Sequence, residues 1–274
     1  MSAADRWEQA LAAWAWPTQI RSAAPADPWR LDPGMLRGRG ERTSDHASPA
    51  DVAAQEALPR RGSVLDVGCG TGTAAAPLRA RAGVVTGIDP RGDMLTQFVE
   101  RIGEQPGLLQ RLAGGAPDVR TVEGRWPEVD VDAHDVVVAH NVLYDVTSGV
   151  ADFVAALHHH ARRRVVLALT MRHPLHWVNP YAEALHGIRR PAEPTARVAA
   201  DLVREVTGRA PAWVEWTEHR DPPEDPGAQL ALVARLSCAR ADQHDQLRAA
   251  LSRMPVPTAR EMVALVWDPG RPTV

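Results

Sequence analysis

The sequence has no lysine; all 31 of its permanently basic side chains are arginines. That absence removes the lysine of a P-loop, any Schiff-base lysine, and the lysine of short-chain dehydrogenase chemistry. Cysteine is scarce: Cys69 and Cys238 are the only two, they have no metal-ligand spacing, and both are expected to be reduced thiols. No apolar stretch approaches the length that spans a bilayer. The opening MSAADRWEQA has no basic region followed by an apolar core, so no secretory signal is expected and the cytoplasm is the default compartment. A basic excess is missing too. The net charge of −3 and a pI near 6.4 argue against a nucleic-acid substrate and put small molecules first. What remains is a globular composition, 45% hydrophobic and 24% charged, in a chain of 274 residues. That length suffices for one large α/β domain with additions.

The stretch Val64 to Thr73, VLDVGCGTGT, organises the rest. Its apolar run reads as a buried strand that stops at Asp66 and gives way to Gly68, Gly70 and Gly72. Alternate glycines let the backbone turn sharply and approach a ligand, and the following AAAPLRARA is expected to start a helix whose free N–H groups face that ligand. The dinucleotide pattern needs its third glycine at Thr73, but here the glycine is Gly72.

This D-x-G-x-G-x-G spacing resembles motif I of the class I S-adenosylmethionine-dependent methyltransferases. The resemblance is specific over the first half of Val64 to Cys238 and topological thereafter. It implies a Rossmann-like α/β fold: a seven-stranded, mostly parallel sheet with helices on both faces, whose seventh strand is antiparallel between the fifth and sixth. It also implies S-adenosylmethionine as cofactor and S-adenosylhomocysteine as product. Asp66, Gly68, Cys69, Gly70, Thr71 and Gly72 would form the cradle. A second strand, GVVTGID, ends at Asp89 and Pro90, where Asp89 is placed to accept ribose hydrogen bonds or to cap the helix that follows. Met94 resembles the family's apolar residue near the adenosine. Gly124, Arg125 and Trp126, after a short strand Val119 to Val122, match the loop against adenine, with Trp126 either walling the base or packing.

Taken in order, the chain opens with a helix capped by Ser2 and carrying Trp7, Leu11 and Trp14 on one face, then a Pro- and Arg-rich lead-in. Ser48, Pro49 and Asp51 make an N-cap signal for a helix to Leu58. The run DVVVAHNVLYDV reads as a central parallel strand, with His140, Asn141 and Tyr144 at its carboxyl end, where such sheets bind ligands. The fifth strand ends near Met171, Arg172 and His173. A looser stretch follows it, and then a helix from Ala196 to Thr207. VEWTEHR is expected as the sixth strand, ALVARLSC as the seventh, and EMVALVW as a possible terminal strand. Domain organisation is accordingly a helical lead-in over 1–60 and a core over 61–274 that includes a lid-like insertion over 174–195.

Methyl transfer is an in-line displacement, which asks mainly for alignment and, for some acceptors, a base. His140 is the first candidate, as catalytic residue and as cofactor neighbour beside Asn141; His173 follows, with Tyr144 nearby. Trp14, Trp29, Tyr144, His173, Trp177 and Tyr181 are the substrate-binding candidates, drawn from the lead-in, the strand ends and the insertion. His158, His159 and His160 point about 100° apart on a helix and do not close on one ion, so no metal is expected. The expected partner is a small-molecule acceptor, methylated on O, N or C. The alternatives are an RNA or protein methyltransferase, favoured if Arg172, Arg189 and Arg190 form a basic groove, and a non-catalytic S-adenosylmethionine-binding protein.

Overall fold

The computed structural model describes residues 1–26, 28, 47–103 and 115–270. Trp29 lies outside the described residues. Seven strands form one sheet: β1 (Gly62–Val67), β2 (Ala82–Asp89), β3 (Asp118–Glu123), β4 (His134–His140), β5 (Ala161–Thr170), β6 (Ala212–His219) and β7 (Ala259–Trp267). Their order is β3-β2-β1-β4-β5-β7-β6, with β7 antiparallel to both β5 and β6 and the rest parallel. The order reverses at β1, between β2 and β4, which opens a crevice at the carboxyl ends of those strands.

The helices are α1 (Ala3–Ala12), α2 (Thr18–Ala23), α3 (Pro49–Ala57), α4 (Gly92–Gly103), α5 (Val150–His160), α6 (Asn179–His186), α7 (Ala196–Thr207), α8 (Pro226–Leu236) and α9 (His244–Arg253). Both predicted caps form: Ser2 with Asp5 and Ser48 with Asp51 make reciprocal capping boxes, each worth about 1 kcal/mol. The valine run of β4 is buried on both faces because alternate side chains feed two cores. Val137 and Ala139 pack in the core under α1, α5 and α7, whereas Val136 and Val138 pack in the core under α3 and α4.

Two sequence expectations are corrected. No α-helix follows the glycine loop; the chain makes only a 3₁₀ turn, Ala76–Leu78, before entering β2 at Ala82. Pro77 lacks the N–H that a continuing helix would need, and too few residues separate Gly72 from β2. The second correction concerns Ala231 to Cys238, which belongs mostly to α8 and not to a strand. Asp225 caps α8 by accepting from the Ala228 N–H, Pro226 sits in its first turn, and Val233, Ala234 and Leu236 bury one face. The seventh strand is Ala259–Trp267, the segment expected only as a possible terminal strand.

The lead-in and the insertion are tied to the body and to each other. Trp7 is buried in the core, Arg6 pairs with Asp201 at 2.9 Å, and Glu205 accepts from the Ala3 N–H at 2.7 Å, so α1 lies against α7. Trp14 donates to the Glu193 carbonyl, across to the insertion. On its far side the insertion packs Tyr181 and Leu185 of α6 against Val233, Leu247 and Ala250 of α8 and α9.

Candidate active site

A cleft of about 1,910 Å³ opens over the carboxyl ends of the sheet. At its centre the loop after β1 carries positive φ at Gly68, Gly70 and Gly72, for different reasons. A Cβ on Gly68 would lie 2.4 Å from Val142, and one on Gly72 would lie 3.0 Å from Phe98, so these two glycines let the loop pack against its neighbours. A Cβ on Gly70 would meet nothing within 4 Å; this glycine alone of the three faces open cleft. Gly72, expected in the cradle, therefore faces α4 and is absent from the cleft wall.

Asp89, at the end of β2, fastens this loop. Its Oδ2 accepts from the Gly70 N–H at 2.9 Å and its Oδ1 from the Arg91 N–H at 3.0 Å, just before α4. Burial raises its pKa against the lowering effect of those two bonds. Asp66 lies deeper. Its Oδ2 has no hydrogen-bond partner, and burial, aided by the charge of Asp89, pushes its pKa up to about 8 in spite of the Ala75 N–H. The Cys69 thiol is likewise pushed up by burial. Thr71, Pro90, Met94, Gly124, Arg125 and Trp126 all line the cleft, and the Trp126 indole N–H donates to the Phe153 carbonyl at 3.2 Å.

At the end of β4, His140 and Asn141 line the same space. Asn141 has a φ of 58°, and its N–H is held by the Ala168 carbonyl at 2.7 Å, yet its Oδ1 has no partner. His140 Nε2 is buried and equally unpartnered. Burial lowers its pKa, and the carboxylates of Asp51 and Glu218 oppose that shift. Tyr144 also lines the cleft, but its hydroxyl donates to the Thr170 carbonyl at 2.9 Å and burial raises its pKa, which ties it to the wall. His173 is stacked on Trp14 with ring centroids 3.8 Å apart, accepts from the Leu175 N–H through Nδ1, and is pushed down to about 3 by burial and by Arg190.

The substrate candidates divide. Tyr144, His173 and Trp177 line the cleft. Trp14 and Tyr181, each 1% exposed, do not; the first is packed under His173 and the second donates its hydroxyl to the Met254 carbonyl. Both are corrected to packing residues: His173 closes over Trp14, which shares a face with Trp7 and Leu11, and residues of α8 and α9 close over Tyr181. The wall also contains Asp51, Asp145, Glu218 and Arg260, which sequence reasoning missed as site residues. Asp145 was within reach, being an acid in the loop after β4. Glu218 and Arg260 gave no signal, because their approach depends on pairing β6 with β7.

Residues 65–167 match the protein family described as a methyltransferase domain. Among solved structures the chain is similar to the YcgJ protein of Bacillus subtilis, at 14% identity over 80% of this chain and 97% of that one, with a TM-score of 0.52. It is similar also to the protein BH2331 of Bacillus halodurans C-125, at 12% identity over 81% and 99% of the two chains, with a TM-score of 0.51. At such identities the likeness is one of fold. No curated protein matches the chain. Over that segment the chain is thus similar to a methyltransferase domain.

Proposed function

We propose that the protein methylates a small-molecule acceptor on oxygen, nitrogen or carbon, with His140 as the general base where the acceptor must lose a proton. The observation that carries this reading is the unpartnered Nε2 of His140 at the end of β4, in the same cleft as the open side of Gly70. The cleft fits the methyl donor. Gly70 leaves space that any side chain would fill, and Asp66 Oδ2 and Asn141 Oδ1 are buried polar atoms without a hydrogen-bond partner.

Asp66, the Gly68 to Thr71 backbone and Asn141 would hold the amino-acid end of S-adenosylmethionine. Asp89 would accept from its ribose, and Pro90, Met94 and Gly124 to Trp126 would flank its base. When bound, this donor supplies an electrophilic methyl on sulfur. The chain's task is alignment of a nucleophile with the carbon–sulfur axis, worth up to about 7–11 kcal/mol. His140 Nε2 would take the proton that the acceptor gives up as it gains the methyl group. A lowered pKa suits that role, since the imidazole is neutral and receptive at neutral pH.

Three arginines bear on the RNA or protein alternative. Arg189 pairs with Glu183 at 2.7 Å, and Arg172 lies 3.2 Å from His176. Arg190 is buried 3.7 Å from the Trp16 ring, its guanidinium without a hydrogen-bond partner. They form no basic groove, which favours a small acceptor. Among the described residues no helix is long and apolar enough to cross a membrane. Both cysteines are free, as a reducing compartment would keep them, and a cytoplasmic setting is part of this reading. Calorimetry with S-adenosylmethionine and S-adenosylhomocysteine tests the cofactor, and a mass-resolved acceptor screen for the gain of one CH₂ unit tests turnover. Binding without turnover on any acceptor would leave a cofactor-binding protein and reject the enzyme reading.

A further inference from the structure

On the α3 side of the sheet the cleft extends from the glycine loop toward β6, and strand alternation sets what lines it. Val138, Ala264, Val214 and Trp216 pack in the core under α3. Residues of the same parity nearer the cleft, His140 on β4, Arg260 on β7 and Glu218 on β6, continue that face beyond the core. The first turn of α3 adds Asp51, only 9% exposed, to the same wall.

The two carboxylates of this wall differ. Glu218 accepts from Arg260 Nε at 2.6 Å, so its charge is answered within the sheet. Asp51 takes all of its hydrogen bonds on Oδ2, from the Ser48 N–H at 2.8 Å and the Ser48 hydroxyl at 2.8 Å; among the described residues Oδ1 takes none and no arginine pairs with the group. Pro49, at the first position of α3, brings no N–H to that end of the helix. The charges that act on His140 are both negative, Asp51 before Glu218, and neither Arg260 nor Arg220 of the cleft wall is among them. With His140 Nε2 buried and unpartnered, this side of the cleft presents two bare acceptors and one negative charge that is not cancelled.

We propose that this side of the cleft recognises the methyl acceptor by a protonated amine, with Asp51 Oδ1 holding the positive nitrogen near His140 Nε2. This rests on the methyl-transfer reading above and narrows the acceptor to a molecule that carries a basic nitrogen. An ammonium group has several N–H donors, so it can give one to the carboxylate and another to the imidazole. A hydroxyl has a single donor and must leave one of the two acceptors bare. A carboxylate or phenolate brought to the same place meets Asp51 as a like charge and is disfavoured. Hydrogen bonds between an ammonium and a carboxylate are roughly twice as strong as neutral ones, which gives the amine its margin over an alcohol. Trp216 and Met262 line the same side and offer apolar surface for the carbon body of such a molecule, and an indole face attracts a cation.

The test uses the full chain saturated with S-adenosylhomocysteine and three probes of one size: benzylammonium, benzyl alcohol and benzoate. Binding is read by saturation-transfer NMR titration. Benzylammonium is expected to bind about tenfold or more tightly than either of the others. Asp51→Asn keeps an acceptor for the Ser48 N–H and removes the charge, so it should weaken benzylammonium about tenfold and leave benzyl alcohol and S-adenosylhomocysteine unchanged. Should that variant fail to fold, the native chain's ranking of the three probes decides alone. Equal binding of the probes, binding of none, or a benzylammonium preference that survives in Asp51→Asn would overturn the proposal while leaving methyl transfer standing. A loss of S-adenosylhomocysteine affinity in Asp51→Asn would overturn it too, by giving Asp51 to the cofactor. Failure of the native chain to bind S-adenosylhomocysteine would instead remove the underlying reading, and the amine site with it.

Discussion

Replacing His140 by alanine separates a base from a wall. Its Nε2 makes no hydrogen bond, so His140→Ala breaks no buried polar pair, and its effect on stability reduces to lost packing. Asp66, Gly70 and Asp89 are untouched, so affinity for S-adenosylhomocysteine should change little. If His140 accepts the acceptor's proton, turnover should fall by about 10²–10⁴-fold. The pH profile adds an independent reading. His140 is active when neutral, and burial lowers its pKa below the ordinary 6.5. The native rate should therefore hold through neutrality and fall on an acid limb lying below pH 6.5, and the limb should vanish in the variant. Stability follows the same sign. The unfolded chain takes up this proton more readily than the folded one, so the contribution of neutral His140 is present above about pH 6.5 and is lost as pH falls toward the folded pKa. Steady-state kinetics of both proteins from acid to neutral pH, with thermal unfolding as a fold control, decide the matter. An intact turnover with the acid limb retained would refute the assignment and leave alignment as the whole of catalysis.

The glycines should respond in opposite ways. Gly70→Val, whose side chain enters open cleft, should abolish S-adenosylhomocysteine binding in calorimetry, whereas Gly68→Ala, with its Cβ 2.4 Å from Val142, should lower the melting temperature first. Asp89→Ala should weaken cofactor binding by about 1.5–3 kcal/mol, because it removes the carboxylate that orders Gly70 as well as any ribose contact. Unchanged affinity would confine Asp89 to the turn before α4. For the domain plan, we propose that the described start of the lead-in, residues 1–26, and the insertion over 174–195 act as one cover, joined where Trp14 stacks on His173. Hydrogen exchange in both should then slow together when cofactor and acceptor bind, and slowing confined to the glycine loop would reject this.

Local chemistry was enough to read the first strands of the sheet and the glycine loop between them. The D-x-G-x-G-x-G loop, the acid closing β2, the two capping boxes and the valine run of β4 each depend on residues within a few positions of one another, so propensity and period declare them. The alternation that makes β4 central also sends His140 to the α3 face. Tertiary structure decided the rest, for nameable reasons. Whether Ala231 to Cys238 was strand or helix turned on a cluster with Tyr181 and Leu247, which local pattern does not contain. Trp14 and Tyr181 were assigned to the substrate until the fold stacked His173 on the first and packed α8 and α9 against the second. The Glu218–Arg260 pair joins residues 42 positions apart through an antiparallel register set when β7 slots between β5 and β6. Such a pairing is a property of the assembled sheet, because neither residue has any local feature that names the other.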